Sequence, residues 1–544
     1  MHTPTNENRY EYSGWSGTGT GSSGSGNSGG STGGSGRGGV HGSVPWRFGL
    51  PIPRAGRTEQ GGPCREESGG DAREGRYTPP DLTHWQSRLD TLRAECRVPG
   101  ASLAILVGGR ISTLVSGVLH RETGSPVTHD SVFPLGSLAK IYTATLVTQL
   151  VDTRELRLDT TVVDILPEFA TADPEATRRI TVRQLLSHTS GLACDLPHDQ
   201  GQEDDCLARH VAKLREVALD FRPGTALSYS STGYVVLGRI VEVITGTTWD
   251  TALRERLLIP LGLDHTVTLP EEAVCFPVAT GHLPDGPDQC PVPVPQGDRT
   301  PRSAGPAGRV IATAADVLRL ARMHLDGGTA PGGTRVMSVN AVAAMQHRET
   351  GVPDQWTVGA DGWGLGWTLY DWDGIPGFGH DGASAGQYAF LRVVPENGVA
   401  VALLTNGGEA RRLSAALCGE LLDELSGVVL PEPFAPAAEP PTVDLAPLLG
   451  TYRRAGTVIT VTGESAPGRL VHEFSPGVPG SPVPREMELI PVTDTVFAGR
   501  DIELTTGEWL PVVFSALADG TRCIHVGMRM ATRQPGASAR IITP

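Results

Sequence analysis

The sequence predicts an α+β fold, an antiparallel sheet flanked by helices with a helical region inserted in it, followed by a small all-β domain. Three observations carry this. Near residue 100 and again near residue 390, two β-rich runs flank a tight-turn signal, and a helical stretch stands close by in the chain. The chain between them is dominated by helical apolar spacing, so the strands of one sheet would come from both ends of the domain. Beyond residue 442 only short β-like runs follow, separated by turn residues, as in a barrel or curled sheet.

Residues 1–78 are a Gly/Ser tract followed by a Pro, Gly, Arg and Glu mixture. Such a composition buries too little apolar surface to offset ordering entropy, so disorder is expected. Order begins near Pro79. Trp85, Leu89 and Leu92 lie at i, i+4, i+7, the stripe of an amphipathic helix. Ala101–Val107, Gly108-Gly109 and Ile111–Leu119 read as a hairpin. Phe133–Tyr142 leads into an apolar helix running to about Thr153. Ile180–Leu192 reads as a capped helix ending at a glycine. After the Arg222-Pro223-Gly224 turn, a loop carrying Tyr229 leads into a buried helix, Val235–Ile244, closed by Gly246. Residues 275–305, rich in Pro, Gly and Asp, read as a long loop of the kind that forms a wall or lid. A helix at Ala312–Leu325 comes next, then a strand at Trp363–Tyr370. Gln387–Val394, a Pro395–Gly398 turn and Val399–Thr405 form a second hairpin, and a helix at Glu409–Leu425 closes the domain. The expected division is a first domain at 79–430, a linker at 431–442 and a β-domain at 443–544. The β-runs of the last are 450–454, 457–463, 469–474, 486–491, 509–514 and 522–528.

The net charge of −15 over 544 residues argues against nucleic acid or an anionic membrane as partner. No apolar run is long enough to cross a bilayer, and no basic-then-apolar leader is visible, so the default expectation is cytoplasmic. The eight cysteines are scattered without a C-x-x-C pair, which favours free thiols; Cys194–Cys206 and Cys275–Cys290 are the bridges to consider if the protein is exported. No His/Cys spacing suggests a metal, and no cofactor is expected.

Ser137 and Lys140 stand three residues apart, so on a helix they share one turn. A serine needs a base before it becomes a useful nucleophile. A lysine supplies one only if burial keeps its amine neutral. Of the 45 basic side chains only Lys140 and Lys213 are lysines. Arginine cannot be deprotonated in a protein, so a lysine kept beside a serine in an arginine-rich chain points to proton transfer. His188 reads either as a catalytic base or as a helix-end histidine bonding neighbouring backbone. Tyr229, taken alone, reads as a half-buried packing tyrosine.

Ser137-x-x-Lys140, Tyr229-Ser-Ser231 and His380-Asp-Gly382, in that order, together resemble the penicillin-binding protein and serine β-lactamase superfamily, closest to its class C-like branch. Leu185–Leu192 and the contexts of Tyr229 and Gly379 resemble it too, over roughly residues 80–427. The resemblance implies the β-lactamase/DD-peptidase fold. It implies Ser137 as acylated nucleophile, Lys140 and Tyr229 as proton-transfer partners, and the backbone N–H groups of Ser137 and Ala383 as oxyanion hole. His380 would complete the catalytic set, and Ser231, Asp381 and Gly382 would line the substrate site.

Two positions depart from the pattern. Ser231 stands where the family has Asn, and His380 stands where β-lactamases have Lys. Both changes point away from an efficient β-lactamase. The resemblance therefore implies a hydrolase or acyl transferase acting on esters, amides or peptides, such as an esterase or D-amino-acid peptidase. The C-terminal β-domain, lipocalin-like, resembles that of penicillin-binding-protein-type thioesterases, which close peptides released from a nonribosomal peptide synthetase carrier. In that group a C-terminal-domain arginine holds a substrate carboxylate, and Arg529 is the match here. A third reading is a non-catalytic protein that binds β-lactams or peptides with a decayed site.

Overall fold

The hairpin expected near residue 100 lies one strand in from the edge of a nine-stranded antiparallel sheet in a computed structural model that describes residues 79–194, 196, 199–284, 291–294, 300–463, 468–474, 485–501 and 509–535. Strands β1 (Gly100–Val107) and β2 (Arg110–His120) are joined by Gly108-Gly109, both at positive φ (56° and 71°). Two left-handed residues make the type I′ turn whose twist matches the strands it joins. The short β3 (Ser125–Pro126), β4 (Thr350–Gly351) and β5 (Gly362–Trp363) extend the edges. The rest are β6 (Thr368–Trp372), β7 (Ile375–Ser384), β8 (Gln387–Val394) and β9 (Val399–Thr405), in the spatial order β3-β2-β1-β9-β8-β7-β6-β5-β4. Ala101 faces Thr405, so the first and last long strands are neighbours.

The central strands read as continuous apolar runs because both faces are covered. On one face Ala104, Leu106, Ala402 and Leu404 pack with helices α2 (Ala139–Asp152), α4 (Ser231–Thr245) and α5 (Ala314–Leu325). On the other, Leu103, Ile105, Val401 and Leu403 meet α1 (Leu82–Glu95) and α6 (Ala410–Ser426). Leu413, Leu417, Leu421 and Leu422 form the apolar stripe of α6 and are fully buried. Shortening any one of them to Ala costs about 2–5 kcal/mol.

Three local expectations are corrected. The strand expected over Trp363–Tyr370 is broken into β5 and β6 around Gly366, at φ 91°. The helix expected over Ile180–Leu192 is shorter, α3 (Val182–Leu186), with Thr181 and Gln184 forming its capping box. The helix after Tyr229 begins earlier, at Ser231, because the Ser230 hydroxyl accepts the Gly233 N–H as N-cap.

Beyond the sheet, eight strands close a barrel: β10 (Gly450–Arg454), β11 (Thr457–Thr462), β12 (Gly468–Phe474), β13 (Arg485–Pro491), β14 (Val496–Asp501), β15 (Leu510–Ala516), β16 (Arg522–Val526) and β17 (Arg529–Arg533). The sequence had suggested six runs. They leave out β14 and β17; the last run, 522–528, covers β16 and the tight turn at Gly527 and stops where β17 begins. Tyr452, Phe497 and Phe514 fill the interior. The barrel packs on the first domain through Met530 and Cys523 against Phe221, and the Ala455 N–H donates to the Asp220 carboxylate at 2.9 Å. Among the described residues no helix is long and apolar enough to cross a membrane. Cys194 and Cys206 are both free, and Cys290 lies outside the described residues, as do residues 1–78.

Candidate active site

Ser137 sits in a 3-10 turn, Gly136–Leu138, that runs directly into α2. The turn is pressed against β7. A Cβ on Gly382 would lie 1.9 Å from the Leu135 carbonyl oxygen, and one on Gly136, already at φ 52°, would lie 2.6 Å from the Ala383 nitrogen. Only glycine permits so close a backbone approach. The close fit brings the main chain of Ala383 beside the serine turn, where two N–H groups can converge on an acyl oxygen.

Lys140, one turn on, is fully buried. Its Nζ donates to the Ala307 carbonyl at 2.7 Å and lies 3.2 Å from Ser137 Oγ. Burial pulls its pKa down to about 7, with the Arg529 cation adding to the effect and Cys194 opposing it. About half of the amine is then neutral at pH 7, and a neutral amine at this distance can accept the serine proton.

Tyr229 lies on the loop before α4. Its ring is 4.8 Å from Lys140 Nζ and 5.7 Å from the Arg529 guanidinium. Burial pushes its pKa up, and the neighbouring Ser137 hydroxyl works against that shift. The buried Tyr229 hydroxyl makes no well-formed hydrogen bond among the described residues. His380, on β7, places its ring 6.3 Å from that of Tyr229. Its Nδ1–H donates to the Asp381 carbonyl, which leaves Nε2 as a buried acceptor. Burial, reinforced by the Lys140 charge, lowers its pKa to about 4, so it is neutral at pH 7.

Ser137, Lys140, Tyr229, His380 and the Ala383 main chain are therefore brought together. Two other expected site residues are placed differently. Side chains alternate along β7, so Asp381 points to the α1/α6 face, opposite Phe390. There it pairs with Arg392 at 2.5 Å, whose guanidinium lies over the Tyr370 ring. A substrate-binding role for Asp381 does not fit this placement. Ser231 opens α4, and its N–H and hydroxyl meet Cys194 Sγ at 3.4 and 3.9 Å. Arg529 reaches the site from the barrel, anchored on the Gly527 carbonyl at 3.0 Å.

Sequence reasoning missed Cys194, Trp363, Ala307, Asp354 and Met528. Trp363 packs edge-on against the rings of His188 (5.0 Å), Tyr229 (5.8 Å) and His380 (5.6 Å). Met528, at φ 69°, is the barrel's hairpin tip: its carbonyl accepts the Tyr229 N–H at 2.9 Å, and its own N–H donates to the buried Asp354 carboxylate at 3.1 Å. The Gly527-Met528 turn was the one readable sign of this hairpin. Contacts between residues so far apart in the chain leave no local pattern. Among the described residues no cluster of His, Cys, Asp or Glu is arranged to hold a metal.

A helix-borne serine, a buried lysine and a strand-borne third motif over an antiparallel sheet define the class of active-site-serine hydrolases. The chain belongs to the β-lactamase family, whose model matches residues 85–417. It is similar to penicillin-binding protein 4 of Amycolatopsis lactamdurans, 59% identical over 379 residues, 70% of this chain and 99% of that protein. The crystal structure of SurE is 30% identical, with TM-score 0.66 over 83% of this chain and all of that one; SurE solved with D-Leu aligns at 29% and 0.63. A class C β-lactamase from Rhodobacter sphaeroides (24%, TM-score 0.51, 62% of this chain and 99% of that one) shares the fold.

Proposed function

We propose that this protein forms a covalent acyl-enzyme on Ser137 and cleaves or transfers the acyl group of an ester, amide or peptide. The observation that carries the reading is the lone buried lysine, about half of it neutral near pH 7, 3.2 Å from the serine hydroxyl. Ser137 Oγ attacks the acyl carbon and its proton passes to Lys140 Nζ. Lys140 is the better base of the two neighbours, since burial lowers its pKa and raises that of Tyr229. Tyr229 relays the proton to the leaving alcohol, amine or thiol. The N–H groups of Ser137 and Ala383 hold the developing oxyanion, at about 3–4 kcal/mol for such a donor. Water or an amine then takes the acyl group and the serine regains its proton. Neutral His380 supplies no permanent cation for a β-lactam carboxylate, which favours other acyl donors.

The test is labelling by a fluorophosphonate or penicillin probe. Label on the wild type that is lost in Ser137→Ala supports the reading; a folded, unlabelled wild type overturns it in favour of a binding protein.

A second reading, peptide cyclisation, draws on one observation: the likeness to SurE spans the barrel as well as the serine domain. The acyl donor would be a peptidyl thioester, delivered by a carrier protein, and Arg529 would face the substrate's carboxylate. Incubation with peptidyl thioesters separates the readings: cyclic product supports cyclisation, and linear acid alone across varied peptides overturns it.

A further inference from the structure

His188 is a buried titratable group at the site to which the proposed chemistry gives no step. It holds a backbone conformation that its residue type disfavours. Helix α3 ends in a Schellman motif: the Thr189 N–H bonds the Gln184 carbonyl at 2.9 Å and the His188 N–H points to the Leu185 carbonyl at 3.5 Å. The residue between these bonds must be left-handed, and glycine usually fills it. Here it is His188, at φ 58°. A non-glycine residue kept in a strained position is a reason to ask what its side chain does there.

The side chain and main chain of His188 grip both neighbours of Tyr229. The Ser228 N–H donates to the His188 carbonyl at 3.0 Å, and the Ser230 N–H donates to His188 Nδ1, also at 3.0 Å. Between these two ties the imidazole lies against the Tyr229 ring, centroids 4.4 Å apart and planes 33° apart. Trp363 and Tyr234 close the other sides, at 5.0 and 5.2 Å. Because Nδ1 accepts an N–H, the proton of the neutral ring is on Nε2. Burial and the nearby Lys140, His380 and Arg529 all disfavour the charged form, so the ring adds no cation beside Lys140. A glycine at this position would keep the carbonyl tie to Ser228 and relieve the strain, but would lose the Nδ1 acceptor and the ring.

We infer that His188 is a positioning residue: its Nδ1 acceptor and its ring fix the main chain and the ring of Tyr229 so that the phenol faces Ser137. The inference rests on the reading of Tyr229 as proton relay.

The experiment compares His188→Gly, His188→Asn and His188→Leu with the wild type by fluorophosphonate labelling of Ser137 and by thermal melting. His188→Gly relieves the left-handed strain but strands the buried Ser230 N–H and empties the space of the ring, so it is expected to melt below the wild type, and its rate is read well below its own melting temperature. Its saturating labelling rate is expected to fall about 10–100-fold, a part of the roughly 10²–10⁴-fold that a well-placed acid–base group supplies, with half-saturation little changed. Asparagine tolerates the left-handed region and carries an acceptor where Nδ1 stands, so His188→Asn should recover most of the rate; His188→Leu should not. In a Tyr229→Phe background, His188→Gly should add little further loss. Wild-type labelling speed in His188→Gly, or equal rates for the Asn and Leu variants, overturns the inference. Should the Gly variant not fold, the Asn–Leu comparison decides on the same criterion. A wild type that takes no label defeats the serine reading itself, which is a separate outcome.

Discussion

The main-chain N–H of Tyr229 donates to the carbonyl of Met528 at 2.9 Å, so the loop beside Ser137 is completed by the tip of a barrel hairpin. Asp354 holds the other side of that tip, accepting the Met528 N–H at 3.1 Å while it caps Thr357. Asp354→Ala strands these buried donors, at about 1–3 kcal/mol each. The expected outcome is a lower melting temperature together with slower Ser137 labelling, read on the same samples. Asp354→Asn, which keeps an acceptor oxygen, should lie between the two.

Labelling of Ser137 should rise with pH through about 7 and level off above it, following loss of the proton from Lys140. Lys140→Met should abolish the rise and lower the rate about 10²–10⁴-fold. Stability should respond with a definite sign. The amine keeps its ordinary pKa of 10.5 in the unfolded chain and about 7 in the folded one. Between those values the unfolded chain binds more protons, so this group makes the fold more stable as pH rises. Urea melts at pH 7 and pH 10 should show that gain in the wild type and lose it in Lys140→Met.

Tyr229→Phe keeps the ring among His188, Trp363 and Lys140 and removes a hydroxyl that has no well-formed hydrogen bond among the described residues. Deleting such a group should leave the melting temperature unchanged or slightly higher. Turnover of an ester or amide should fall about 10²–10⁴-fold. A large loss of stability with little loss of turnover would show that the phenol only packs.

Gly382→Ala places a methyl 1.9 Å from the Leu135 oxygen and 2.9 Å from the Leu138 nitrogen, both backbone atoms that cannot swing away. The strand must back off from the serine turn. Labelling should drop at least about 10²-fold, the scale of a lost oxyanion donor. Circular dichroism should show the fold retained.

Arg529→Leu tests the cyclisation reading. Substrates with a free carboxylate should show a raised KM, and neutral esters should not. Equal effects on both would assign the guanidinium to holding the Tyr229 ring, over which it lies at 5.7 Å.

The parts of the site that were legible in the sequence are those whose chemistry is tied to short spacing. Ser137 and Lys140 share a turn, and β7 carries His380 and Gly382 together, so family order and a period of two were enough to gather them. Period two should also have warned against Asp381, whose neighbour His380 already occupied the site face of the strand. The family match and the sheet with helices on both faces and a closed barrel beyond were as expected, because hairpins and apolar runs are local. What could not be read is what folding alone brings near: Cys194 against Ser231, Trp363 among three site rings, and a barrel tip beside Tyr229. Nor does a periodicity argument foresee a histidine in a left-handed helix end, since propensity favours glycine there.

The pairing of Ala101 with Thr405 has a consequence for how the chain is made. β1 emerges from the ribosome early and cannot find its partner β9 until the whole helical insertion has followed. Closing so long a loop carries a high entropic cost, and non-local antiparallel pairing is slow. During synthesis the β1–β2 hairpin must wait with an unsatisfied apolar edge, a hazard for misassociation. The barrel is the opposite case. Each of its strands pairs with the next, and only the β10–β17 closure is distant. Translation therefore supplies the slow domain first and the quick one last. A pause near the linker should raise the yield of correctly folded protein.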